Sequence, residues 1–118
     1  MMTALGDLVS EADRRALSGA LGEFIVKEFA HSLSNGVWGW FDDDRAILGD
    51  WGFDLTGVGA PLSLWHGGQD RFVPIAHGEW LAAHLHADAH LRPEHGHISL
   101  SVSSYGEILD ALLAGGSA

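Results

Sequence analysis

Apolar residues in the first third of the chain recur with a period close to that of an α-helix. Leu17, Leu21, Phe24, Ile25, Phe29 and Leu33 fall at helical spacing, which predicts a helix with one apolar stripe. Ser10-Glu11-Ala12-Asp13 stands before the stripe. Ser10 can cap the helix, and Asp13, three residues on, makes an approximate capping box. Ser34-Asn35-Gly36 predicts the helix end through turn chemistry. Val37 to Phe41 is mixed in character. It leads into Asp42, Asp43 and Asp44, and a short helix is expected to about Leu48 with these acids in its first turn, where negative charge is favoured.

From Gly57 the texture changes. Pro61-Leu62-Ser63-Leu64-Trp65 is a short apolar run between a proline and Gly67-Gly68, which predicts a buried strand. Pro74 suits the first position of a helix. Ile75, Trp80, Leu81 and Leu85 carry its stripe. Asp88 to Arg92 predicts a second short strand. Tyr105 to Leu113 predicts a closing helix that buries Ile108, Leu109, Leu112 and Leu113. The order strand, helix, strand, helix implies parallel strands joined by a crossover. Parallel sheets are covered on both faces, and two strands make no stable sheet alone. The pattern therefore predicts a sheet that lacks strands beside its own. No internal repeat or low-complexity linker divides the chain. The tail Gly115-Gly116-Ser117-Ala118 reads as a frayed end.

Composition sharpens this picture. Apolar residues make up 47% of 118, and the mean hydropathy of +0.10 is high for a small domain. Some of that apolar surface is expected to face something outside the chain. Six basic residues stand against 16 acids, for a net charge of −10. That excludes the basic footprint of a nucleic-acid binder and disfavours anionic membranes. There is no cysteine, which removes disulfides, thiolate catalysis and Cys-ligated zinc. The start, Met1 to Asp7, lacks the basic and apolar regions of a signal peptide. No apolar run reaches the ~20 residues of a spanning helix. A cytoplasmic protein is the expectation.

Two stretches carry candidate chemistry. In Leu64-Trp65-His66-Gly67-Gly68-Gln69-Asp70-Arg71-Phe72-Val73-Pro74 an acid follows a strand and precedes a helix. In Pro93-Glu94-His95-Gly96-His97-Ile98-Ser99-Leu100 a Gly-His pair follows the second strand. Active sites of open α/β sheets lie beyond the carboxyl ends of the strands, so both loops are expected on one edge of the sheet. Asp70 and His97 are 27 residues apart, about one crossover unit, which puts them on neighbouring strands. A histidine works as a general base near neutral pH when its tautomer and orientation are fixed. A carboxylate on one ring nitrogen does this and stabilises the imidazolium that forms.

The stretch from Trp51 to Leu113 resembles the C-terminal end of the α/β-hydrolase family. The shared pattern is a proline, a strand, Gly-x-x-Asp, Val-Pro, a helix, a strand and Gly-His. The resemblance implies a partial α/β-hydrolase fold: two short parallel strands with helices in 51–118, preceded by a cap-like helical segment in 1–50. It implies that Asp70 is the triad acid and His97 the triad histidine, that the substrate is a small ester or amide, and that no metal or organic cofactor is used. Family triads run nucleophile, acid, histidine along the chain, with the nucleophile on a Gly-x-Ser-x-Gly elbow. No serine here has that setting: Ser34 follows Ser32 where a glycine is needed, and Ser18 lies between Ala16 and Ala20. The elbow and the oxyanion loop are expected upstream of Met1, and this chain alone is expected to be inactive. The alternative expectation is a non-catalytic remnant or interaction module. It would pair with itself or with a complementing N-terminal half.

Other residues invite weaker readings. Asp70 also suits a loop acid that caps the following helix. His66-Gly67-Gly68 mimics an oxyanion loop but is better explained as the turn that ends a strand. His95 reads as a solvated neighbour of His97. The pairs His84/His86 and His95/His97 lack the ligand spacing of a zinc site. Trp38, Trp40 and Trp51 fit a pocket lining, a core or uncovered apolar surface, with core favoured because large aromatics bury well. Asp42, Asp43 and Asp44 lack the alternating ligands of a calcium loop.

Overall fold

The computed structural model describes residues 6–115. Residues 1–5, and Gly116 to Ala118 of the tail read as a frayed end, lie outside the described residues. Within them the chain is mixed α/β, with five α-helices and a two-stranded parallel sheet.

The first apolar stripe is split between two helices, α1 (Glu11–Ala16) and α2 (Ala20–Ser32). This corrects the expectation of one continuous helix. The break falls at Gly19, whose φ of +79° and ψ of −143° are open in practice to glycine alone. Leu17 turns into the core at the end of α1 and is buried. Phe24 and Phe29 of α2 stay exposed. Gly36, with φ +100°, follows α2 in the expected turn. Helix α3 (Trp38–Leu48) begins four residues before its acids, so Asp42, Asp43 and Asp44 lie past the first turn, where the helix dipole no longer favours them. Phe29 and Trp40 bring α2 and α3 together, with ring centroids 6.0 Å apart.

Strands β1 (Ser63–Gly67) and β2 (Asp88–Arg92) pair in parallel, Ser63 opposite Asp88 and Gly67 opposite Arg92. Helix α4 (Ile75–Leu85) connects them, as the pattern predicts. Pro74 is its N-cap and not its first helical residue. β1 is only half-buried: α4 and α5 pack against it, but β2 is its one strand neighbour among the described residues. Helix α5 (His97–Gly115) starts eight residues before the predicted Tyr105. Its buried face is Ser99, Leu100 and Ser104, and α1 packs against it, the two serines being small.

The core is small. Among the described residues Val9, Leu17 and Leu100 are the buried apolar side chains, while twenty large apolar ones are exposed. Leu109, Leu112 and Leu113 of α5 are among the exposed, contrary to expectation, and so are Trp38, Trp40 and Trp51. The accessible surface is 8577 Å², against about 6,200 Å² for a close-packed monomer of this mass. The radius of gyration is 16.4 Å, against about 13.5 Å for a compact chain of this length. No helix among the described residues is long and apolar enough to cross a membrane.

Candidate active site

The parallel register places the ends of β1 and β2 side by side, and the two following loops bond to each other. The Gly68 N–H donates to the Arg92 carbonyl at 2.8 Å, and the Gln69 N–H donates to the His95 carbonyl at 2.8 Å. Glycine is required for so close an approach. A Cβ on Gly67 would collide with the backbone of His95 and Gly96, and one on Gly68 with Pro93. His66-Gly67-Gly68 is thus the end of β1 and the turn after it. Its glycines set the spacing of the two loops.

Asp70 sits in this turn, its side chain 5% exposed. Its Oδ1 accepts from the Phe72 and Val73 N–H groups, both at 2.9 Å, and so orders the chain into Pro74 and α4. Its Oδ2 lies 2.8 Å from His97 Nδ1. A carboxylate only accepts, so in the neutral imidazole Nδ1 carries the proton and Nε2 the lone pair. The His97 side chain is 49% exposed. Its ring is flanked by Phe72, with centroids 5.1 Å apart. His97 is the first residue of α5 and not a loop residue.

A cavity of about 550 Å³ opens beside the pair, lined by Asp70 and His97 with Leu21, Ile25, Trp65 and Leu100 among its walls. A second hollow of about 400 Å³ borders His97 on the Phe72 and Phe29 side, with Glu28 as its only acid. Segment 1–50 therefore supplies walls to both hollows, through α2.

Two further groups bear on the pair, in roles other than those read from sequence, where His66 belongs to the strand-ending turn and Asp13 to a capping box with Ser10. His66 lies with Nε2 3.6 Å from Asp70 Oδ2 and 3.0 Å from the Val73 carbonyl. It has space because Gly78 of α4 presents no side chain to its ring. Asp13 of α1 is fully buried. Its Oδ1 accepts from the Ile98 and Ser99 N–H groups at 3.0 and 2.9 Å, and its Oδ2 from the His97 N–H at 3.1 Å. Only half of the predicted capping box therefore forms. The Ser10 hydroxyl accepts from the Asp13 N–H at 3.2 Å, while the Asp13 carboxylate caps α5. Burial raises the Asp13 pKa, but the hydrogen bonds from Ser99, Ser10 and Ile98 outweigh it and hold the carboxyl below its ordinary 3.8.

Three of the other histidines are engaged elsewhere. His84 stacks on Trp80 at 3.7 Å and its Nδ1 meets the Trp80 carbonyl. His90 stacks on Trp65 at 4.0 Å. His95 is half-buried, with Nε2 3.7 Å from Glu94, and so is less solvated than expected. No group of three or more His, Asp or Glu among the described residues is arranged to hold a metal ion. Neither protein-family models, nor curated proteins, nor solved structures yield a match to this chain.

Proposed function

We propose that this chain is the acid- and histidine-bearing C-terminal part of an α/β-hydrolase, acting on a small ester or amide. The observation that carries the reading is the 2.8 Å pairing of His97 Nδ1 with Asp70 beyond the carboxyl ends of adjacent parallel strands. In that role Asp70 holds the imidazole in the Nδ1–H form, and Nε2 accepts the nucleophile's proton. The imidazolium then protonates the leaving group. A water, deprotonated by the same Nε2, releases the acyl group in a second step. The nucleophile and the oxyanion donors come from a segment outside these 118 residues.

The test is capture of the protein from its native cells with an antibody to α5. Expected are hydrolysis of a p-nitrophenyl ester and covalent labelling by a fluorophosphonate at a Gly-x-Ser-x-Gly peptide in the captured material. Replacing His97 with Ala should lower turnover by about 10³-fold or more. Full activity in that variant, or captured protein with no hydrolytic activity, would sink the assignment.

A second reading is favoured by the exposed apolar surface: the chain is an interaction module that pairs with itself or with a complementing N-terminal half. A split hydrolase predicts activity only on mixing the two halves, and a mixture as silent as either half removes it.

A further inference from the structure

We propose that Asp13 is a positioning residue for His97: from α1 it anchors the first turn of α5 and so sets the imidazole against Asp70. The inference rests on the reading of Asp70 and His97 as the acid and base.

The N-terminus of α5 has no cap of its own, since Gly96 precedes His97 and carries no side chain. Asp13 takes that place from 84 residues away. It receives the first three N–H groups of the helix, including that of His97 itself. The Ser99 hydroxyl accepts from the Gly96 N–H at 2.8 Å, which closes the remaining half of a capping box. Gly96 is required here, because a Cβ would occupy the space of the Asp13 carboxylate and the Ser10 hydroxyl. Charge-assisted bonds to a helix start are short, directional and reinforced by the helix dipole.

Two carboxylates thus hold His97, one at its backbone and one at its ring. Asp13 takes no part in the bonds that fix Asp70. Asp70 is fixed by its own turn and by the bonds between the loops after β1 and β2. Losing Asp13 therefore shifts His97 relative to an acid that stays in place. A displacement of about 1 Å is enough to spoil such a geometry.

The experiment uses the 118-residue chain, labelled with ¹⁵N, and reads the imidazole tautomers by NMR at a pH where histidine is neutral. Wild type is expected to show His97 as Nδ1–H. Asp13→Asn, which is neutral and of equal size, is expected to lose at least about half of that population, with His90 on Trp65 unchanged. A folded Asp13→Asn chain with an unaltered His97 signature overturns the proposal, since a role in stability alone lowers the melting point without moving the tautomer. Asp70→Asn is the reference. If it leaves His97 unmoved, the acid–base pairing itself is absent and the functional reading fails separately. Should Asp13→Asn not fold, Ser10→Ala removes only the hydroxyl beside the carboxylate. It should move the Ile98 and Ser99 amides and the His97 ring together; amides that move while the ring does not overturn the proposal.

Discussion

The two oxygens of Asp70 perform different tasks. Oδ1 orders the turn into α4, and Oδ2 faces His97. A helix-capping acid and a histidine-orienting acid, rival readings from sequence, describe the same side chain. Asp13 likewise joins a local and a distant task, and its removal should be felt in stability. Asp13→Ala leaves the first three N–H groups of α5, buried or part-buried, without their acceptor and should cost about 3 kcal/mol, measured by urea unfolding. Its pH dependence has a definite sign. The folded pKa lies below the ordinary 3.8, so between the two values the unfolded chain binds more protons. The stabilisation is complete above the ordinary value and is lost as pH falls through the folded one. Wild type should lose stability on acidification through this window, and Asp13→Asn should lose less; equal slopes would count against the assignment. Asp70 and His97 were legible because Gly-x-x-Asp and Gly-His each follow a strand. Asp13 was not, because the feature pointing to it is an absence: Gly96 leaves a helix start without a cap, and nothing local names the residue that supplies one.

At the scale of elements, Gly67 and Gly68 bring the loops after β1 and β2 together, and Gly96 lets Asp13 and Ser10 reach the start of α5. Gly68→Ala and Gly96→Ala each place a methyl group in occupied space and should destabilise by about 1–3 kcal/mol. Gly106, inside α5 with open space around its Cβ position, is the control. Gly106→Ala should stabilise by about 0.5–1 kcal/mol through helix propensity alone. If all three substitutions behave alike in denaturant melts, the close approaches at Gly68 and Gly96 are wrong. The first strand was readable from the apolar run between Pro61 and Gly67, although β1 lies two residues later than Pro61 to Trp65, and the crossover helix from Pro74 and its apolar stripe; β2, Asp88 to Arg92, has no apolar run of its own. The first half of α5 was not readable. Ile98, Leu100 and Val102 alternate with Ser99, Ser101 and Ser103, a strand-like period of two. Contact with α1 and the Asp13 cap decide for helix. The break between α1 and α2 was hidden for a related reason, since Gly19 inside an apolar stripe is tolerated in many helices and only its positive φ marks the end of one.

For the whole molecule, the question is what covers the apolar surface. Sequence reasoning expected an incomplete sheet, and the two strands have no third neighbour among the described residues. It also expected Leu109, Leu112, Leu113 and the tryptophans to be inside, because apolar periodicity shows which face seeks burial but not whether anything is there to bury it. The excess surface of about 2,400 Å² over a close-packed monomer exceeds the roughly 800 Å² that each partner buries in a standard protein interface. The isolated chain should therefore associate. In sedimentation velocity its average mass should rise above 12.6 kDa as concentration increases. The net charge of −10 opposes this, so association should strengthen when salt shortens the Debye length below about 10 Å. Leu109→Ser with Leu112→Ser, on the exposed face of α5, should weaken it while leaving the Asp70–His97 pair intact. A chain that stays at 12.6 kDa at every concentration and melts in one cooperative step would show that the exposed faces need no partner. It would count against both the incomplete-hydrolase and the pairing-module readings, because each requires a second segment to complete the sheet.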